Sequence, residues 1–386
     1  MLRVIFCLQT MVCGGVEKEL ITILNRFDRK KYALSLLLMY DAGDEIMSQI
    51  PTDVKLINLS VNKRFYFSNL WHYLYSRAKA GNFGQVISGL FKGVLLRHPA
   101  PVFVDLSDVP SPEQNYDIAV CYHMHSPICL RYVVEKISAG RYISWIHNDF
   151  STTGFKIGSY KRWLNKYDLF ACVSNRLRDE FLDIFPEFAS RTIIAHNIVD
   201  RDEIVSKMNE SSDEICELKD DPTFKILTVG RFVEQKGFDI AIKTCAILIK
   251  KGYDIKWYAI GYGKDIQMMR SLVCQYKLGR NFIILGRRDN PYPYMKLADL
   301  YVQPSRHEGF GITVEEVKVV GTYIIATDFA GVREQLLEES TGVVVDSFEP
   351  DDLAERIIYF IDNPPTREKG VLNNNSDWTT IESLFL

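Results

Sequence analysis

The sequence predicts an α/β fold: two doubly wound, Rossmann-like domains facing each other across a cleft. Three observations carry this expectation. Short apolar runs alternate with amphipathic stretches nearly end to end, as parallel βαβ units require. The alternation pauses once, over a polar, acidic stretch, and then restarts. The chain has 386 residues, enough for two or three domains of roughly 100–200 residues each.

Arg3–Leu8 reads as the first strand. Glu17–Phe27 reads as the first helix, with Leu20, Leu24 and Phe27 on one face. Further strands are expected at Ala33–Met39, Val54–Leu59, Asp117–Cys121, Tyr142–His147, Leu169–Ser174 and Thr192–Ala195, with helical patterns between most of them. These make an amino-terminal domain over 1–198. Residues 199–222, with Ser211, Ser212 and Asp220-Asp221 and no strand pattern, read as an interdomain linker. Phe224–Val229 opens the second domain, 223–370. Helix Lys236–Lys250 carries Phe238, Ile242, Cys245 and Ile249 on one stripe. Then come strand Ile255–Ile260, helix Lys264–Tyr276, and strands Phe282–Leu285, Leu300–Val302, Tyr323–Ala326 and Val343–Val345. Pro364-Pro365 and Asn373–Asn375 close this half, leaving a tail at 371–386. Paired domains of this kind take ligands at the carboxyl ends of their strands.

Composition narrows the class. Hydrophobic residues at 47% and charged residues at 25% exclude a mainly disordered chain. The formal net charge of −3 gives no electrostatic reason for nucleic-acid binding. The eight cysteines form no CxxC pair, and several lie in apolar runs, so they read as reduced thiols of a cytoplasmic protein. The longest apolar runs, such as Leu34–Tyr40, fall far short of the roughly 20 residues that span a bilayer. Val4–Cys13 resembles a leader, but Gln9 and Thr10 interrupt it and no small-residue cleavage site follows.

Chemistry concentrates in three loops. The sharpest is Ser305-Arg306-His307-Glu308-Gly309-Phe310-Gly311-Ile312-Thr313, between a strand and a helix. Glycines there let backbone amides approach a ligand, and the helix amino-terminus suits a phosphate. Glu308 can accept hydrogen bonds from sugar hydroxyls, and Glu316, eight residues on, can hold another part of one ligand. Alone, the segment also fits a glycine turn whose acids cap a helix. The second loop is Gly230-Arg231-Phe232-Val233-Glu234-Gln235-Lys236-Gly237. The Arg231 fork and the Lys236 point charge both suit a diphosphate, although solvated loop cations are the commoner fate. The third is Gly14-Gly15, between the first strand and the first helix; it is not a GxGxxG. Gly261-Tyr262-Gly263 begins such a motif, but Ile266 stands where its last glycine belongs.

Together, in order, these segments resemble the large retaining glycosyltransferase family numbered four, which has the two-domain GT-B fold. Leu285-Gly286, Ala298-Asp299-Leu300, Pro304-Ser305 and Ala326-Thr327-Asp328 look like further landmarks. So do Gly331-Val332 with Glu334, and, more weakly, Trp145-Ile146-His147, Val173-Ser174 and Asn197. The resemblance implies roles. Glu308 would bind the transferred sugar and Glu316 the ribose. Arg231 and Lys236 would hold the diphosphate, aided by Gly14, Gly15, Gly230, Gly261 and the turn Gly309, Phe310, Gly311, Ile312 and Thr313. His147 would reach the donor sugar, and the segment at Arg287 would lie by the nucleobase. Catalysis would rest on Glu308, His147, Arg231 and Lys236. No metal would be required, because protein cations meet the leaving diphosphate. Asp200-Arg201-Asp202 is read as a helix cap rather than a metal motif, and His123-Met124-His125 as structural. The sequence departs from the family pattern at Val317, Thr322 and Tyr323, and Glu315 beside Glu316 leaves the ribose acid open between the two.

On the acceptor side, Val54–Val104 holds no Asp or Glu. Its cations, from Lys63 and Arg64 to Arg97, interleave with Phe65, Tyr66, Phe67, Trp71, Tyr73 and Tyr75. That composition suits contact with an anionic membrane surface through 63–97, on the inner face of the cell membrane, and equally a folded subdomain. The expected function is transfer of a hexose from a nucleotide sugar, UDP favoured, to a lipid-linked or surface-glycan acceptor. A nucleotide-sugar epimerase of the same fold, or an inactive nucleotide-sugar-binding module, is the alternative. A phosphorylase would need a Schiff-base lysine, for which no specific candidate stands out.

Overall fold

A computed structural model describes residues 1–11, 14–40, 44–59, 106, 109–150, 157–337, 341–364 and 375–386. The chain forms two compact units. One comprises Met1–His147, Gly154–Ala171 and Glu187–Ile193; the other comprises Asn148–Thr153, Cys172–Pro186 and Ile194–Leu386.

The first unit carries a seven-stranded sheet made of β1 (Leu2–Leu8), β2 (Tyr32–Leu38), β3 (Lys55–Asn58), β4 (Tyr116–Cys121), β5 (Ala139–Ile146), β6 (Leu169–Cys172) and β7 (Thr192–Ile194). The order is β3-β2-β1-β4-β5-β6-β7. β1 pairs in parallel with β2 and β4, and the runs Val4–Leu8 and Ala119–Cys121 are fully buried. A strand covered on both faces reads as a continuous apolar run, which is why these were visible in sequence.

The second unit carries a six-stranded sheet made of β8 (Phe224–Val229), β9 (Ile255–Ile260), β10 (Phe282–Gly286), β11 (Leu300–Gln303), β12 (Ile324–Thr327) and β13 (Gly342–Val345), in the order β10-β9-β8-β11-β12-β13. Alternate residues feed opposite layers. Ile226, Trp257, Leu300, Val302 and Ile325 pack with helices Phe238–Lys250 and Pro350–Asp362. Leu227, Tyr258, Tyr301, Ile324 and Ala326 pack with helix Ile312–Val320 and its neighbours. This is the doubly wound arrangement, and the strand order reverses between β1 and β4 and again between β8 and β11. Such switch points are where open α/β sheets hold ligands.

Two expectations change. Residues 199–222 are not an extended linker: they form helices Arg201–Lys207 and Asp213–Asp220, capped by the Asp200 and Ser212 side chains. Ile204 and Leu218 enter the second unit's core, and Glu214 accepts two hydrogen bonds from Arg288, at 3.0 and 2.6 Å. Helices this short give too few apolar repeats for their period to show. The expected helix Lys236–Lys250 is broken at Gly237, which is left-handed (φ 68°); a 3₁₀ turn Glu234–Lys236 precedes it and the α-helix begins at Phe238. No helix among the described residues is long and apolar enough to cross a membrane. Residues 63–97, expected as a membrane contact, lie outside the described residues.

Candidate functional site

The β8–β11 switch point gathers the expected residues of the second unit. β8 ends in Gly230-Arg231, and β11 ends in the segment that carries Glu308. Gly230 lies against the methylenes of Lys236, where an added Cβ would sit 3.5 Å from its Cδ. Gly237 approaches the neighbouring loop so closely that a Cβ would stand 1.9 Å from the Pro304 carbonyl oxygen. Its positive φ and this contact together require glycine. Arg306 clasps the same turn: its guanidinium makes paired bonds of 2.7 and 2.8 Å to Asp239 and a third to the Glu234 carbonyl. Burial opposes charge on Asp239, but the Arg306 guanidinium holds its carboxyl below the usual range.

Within this frame the Lys236 ammonium is ion-paired with Oε1 of Glu308, both side chains nearly buried. The same oxygen accepts the Ser305 hydroxyl at 2.9 Å and the Gln303 amide at 3.2 Å. Arg231 is exposed, and its guanidinium has no partner among the described residues. An ordered carboxylate, a positioned ammonium and an unengaged guanidinium thus share the carboxyl ends of adjacent strands.

Gly309 and Phe310 are buried, and Gly311 (φ 88°) caps helix Ile312–Val320 with a left-handed turn over the Phe329 ring. The first-turn amides of Ile312 and Thr313 have no intrahelical acceptor, and the helix dipole adds positive potential there. The two adjacent acids are engaged differently. Glu315 is buried and ion-paired with Lys318 at 2.8 Å, whereas Glu316 accepts the Tyr292 hydroxyl at 3.1 Å. Burial, and then the Glu316 charge, pushes the Tyr292 hydroxyl well above its usual range. Buried Tyr301 is raised in the same way, first by burial and then by both Glu316 and Glu308, so the two acids flank one core side chain.

The loop after β9 crosses the loop after β8. A Cβ on Gly261 would lie 1.8 Å from the Gly230 carbonyl oxygen, and the Gly261 amide donates to Gly286 O at 2.9 Å. Arg287, just beyond, lies over the half-exposed Tyr262 ring at 5.7 Å and pairs with Asp289. These glycines therefore seat two loops together rather than forming a dinucleotide fingerprint.

Gly14, Gly15 and His147 belong to the first unit, around its own switch point. Gly14 is the extended N-cap of helix Gly15–Arg26, whose buried face presents Glu17 and Glu19. His147 follows β5 and is 4% exposed; its Nδ1 lies 3.8 Å from Glu19, and neither ring nitrogen has a hydrogen-bond partner among the described residues. The ring stacks parallel to Trp145 and lies 4.6 Å from Tyr122. Burial holds His147 well below the usual histidine range, with His123 and His125 adding to the effect. His123, in the loop after β4, is pushed down to about 4 by burial.

The family model for glycosyl transferases group 1 matches residues 212–375. Those residues belong to the group 1 glycosyl transferases. An uncharacterized glycosyltransferase of Methanocaldococcus jannaschii is 29% identical over 203 residues, 52% of this chain and 52% of its own. The capsular polysaccharide biosynthesis glycosyltransferase CapM of Staphylococcus aureus is 26% identical over 173 residues, 42% of this chain and 46% of its own. The chain thus spans about half the length of these relatives. In fold, the Anabaena protein HepE, solved with UDP and glucose, aligns over 100% of this chain and 98% of its own with a TM-score of 0.69 at 16% identity. The two-sheet architecture is the GT-B fold.

Four participants were not singled out in sequence: Gln303, Tyr301, Tyr292 and Glu19. Gln303 had a signal, since it is a polar residue at the end of the otherwise apolar strand Leu300–Val302. Glu19 had one too, lying one position before Leu20 on the apolar side of the first helix.

Proposed function

We propose that the protein is a hexosyltransferase that moves a hexose from a nucleotide sugar, a UDP-sugar in first place, to a surface-glycan or lipid-linked acceptor with retention of anomeric configuration. The observation that carries the proposal is Lys236 against Glu308 at the β8–β11 switch point, with Arg231 there unpartnered among the described residues. CapM's role in capsular polysaccharide biosynthesis and HepE's bound UDP and glucose support the acceptor and donor classes.

In this reading the reaction breaks the bond between the anomeric carbon and the diphosphate. Negative charge grows on the leaving diphosphate, where Arg231, Lys236 and the Ile312 and Thr313 amides meet it. Groups fixed in advance stabilise that charge more than they stabilise the ground state. Protein cations, rather than a metal ion, carry this load. Glu308 orients the sugar, Glu316 the ribose, and Arg287 with Tyr262 lies by the base. Attack comes from the face the diphosphate leaves, and a diphosphate oxygen takes the acceptor's proton.

Glu308→Ala and Lys236→Ala should each lower transfer about 100–1,000-fold, by analogy with deleted oxyanion donors. Both should keep the far-ultraviolet circular dichroism of the parent. Assays with UDP-glucose, UDP-galactose and GDP-mannose would test this; full turnover by either variant would refute the assignment.

A further inference from the structure

Three donors converge on a single oxygen of Glu308, and the residues behind them form one continuous chain. The Tyr301 hydroxyl donates to Gln303 Oε1 at 2.5 Å. That bond fixes which way the Gln303 amide faces. Its Nε2 then donates to Ser305 Oγ at 2.7 Å and to Glu308 Oε1 at 3.2 Å. Ser305 passes its own proton to Glu308 Oε1 at 2.9 Å. Tyr301, Gln303 and Ser305 are 0%, 1% and 0% exposed, so no water competes for these bonds. The Thr327 hydroxyl pins the Ser305 carbonyl at 2.6 Å. Every donor in the chain points toward Glu308, as an acceptor-only carboxylate matches. All the engagement falls on Oε1, and Oε2 accepts from no described residue.

We propose that Gln303 is a positioning residue: it holds Glu308 by one oxygen so that the other is turned, already oriented, to the hydroxyls of the transferred sugar. The proposal rests on the reading of Glu308 as the sugar-binding acid. It assigns Gln303 no contact with the ligand. Its effect therefore belongs to steps that involve the sugar, and not to the grip on a nucleoside diphosphate. A buried hydrogen bond to a charged group lost at this point corresponds to about a 10–100-fold effect.

Gln303→Met keeps the volume and removes the amide. Gln303→Glu keeps the Tyr301 acceptor but sets an oxygen, instead of a donor, against Glu308. UDP-glucose is the donor probe and UDP the sugar-free probe, replaced by GDP-mannose and GDP if the first pair gives no thermal shift. For Gln303→Met, kcat for donor hydrolysis or transfer should fall about 10–100-fold. UDP affinity should stay within about twofold of the parent. Gln303→Glu should lose more than Gln303→Met. In a Glu308→Ala background, Gln303→Met should change nothing further. Parental turnover by Gln303→Met would overturn the proposal, and so would equal loss of UDP affinity and turnover, the mark of general packing damage. If Gln303→Met does not fold, Ser305→Ala carries the same test, with a smaller loss in the same direction expected and parental kcat refuting it. Full turnover by Glu308→Ala would instead sink the reading of the site itself.

Discussion

The rims of the two sheets meet buried charge in opposite ways. At the β8–β11 switch point the more buried charged groups are paired, Lys236 with Glu308, Arg306 with Asp239 and Glu315 with Lys318, while exposed Arg231 is left over among the described residues. At the β1–β4 switch point, His147 is more deeply buried, yet neither ring nitrogen has a hydrogen bond among the described residues. Paired charges in a dry site are rigid and keep their charge. A buried imidazole without a partner stays neutral instead. One rim thus holds paired charges, and the other a neutral ring beside the buried carboxylate of Glu19.

The largest expected effect breaks the frame of the first of these rims. Gly237→Ala would force a left-handed alanine and drive its Cβ into the Pro304 carbonyl, whose backbone cannot yield without moving Glu308. A loss of about 2–4 kcal/mol in chemical denaturation is expected, together with loss of transfer. Gly15→Ala, at the corresponding helix start of the first unit, is the control. Gly15 has no positive φ, so its replacement should leave stability unchanged or raise it by up to about 1 kcal/mol. Equal destabilisation by both would erase the contrast.

A smaller effect separates the rims by pH. The folded-state pKa of His147 lies well below its unfolded value, and that of His123 lies at about 4. Between those values and roughly 6.5 the unfolded chain binds more protons, so stability is full at neutral pH and falls as the solution is acidified. For partly exposed His123 the span corresponds to about 1–3 kcal/mol between pH 7 and pH 4. Melting temperatures across that range should drop less steeply in His123→Asn than in the parent. A parallel pair of curves would show that burial there carries no protonation cost.

How much of this was legible beforehand follows from what each feature depends on. The central strands were readable because they are covered on both faces, and apolar runs such as Val4–Leu8 advertise that directly; β3, largely exposed, was read from its alternation with helices instead. Arg231, Lys236 and Glu308 were readable because charge after a strand, next to glycine, is locally anomalous. Gln303 and Tyr292 were not, because their value lies in which atom each touches across the fold. Nor was the break at Gly237, since a glycine inside an apolar stripe looks like a tolerated one until Pro304 is seen against it. Sequence exposes charged groups at strand ends more readily than the buried polar groups that hold them.

The smallest effect tests that last distinction at the other acid. Glu316 lies on a helix and accepts the Tyr292 hydroxyl at 3.1 Å, whereas Glu308 Oε1 is met by Lys236, Gln303 and Ser305. Tyr292→Phe removes that bond and nothing else of the ring, which stays packed against the second unit's core. One hydrogen bond of this kind is worth about 1 kcal/mol net, or roughly fivefold in affinity. Because Glu316 is the proposed ribose acid, the loss should appear in UDP binding as well as in KM for the nucleotide sugar, with kcat nearly unchanged. That is the inverse of the Gln303→Met profile. Calorimetric titration of both variants with UDP compares them directly: weakened binding only in Tyr292→Phe would assign the two carboxylates to different parts of one ligand, and the reverse pattern would exchange their roles.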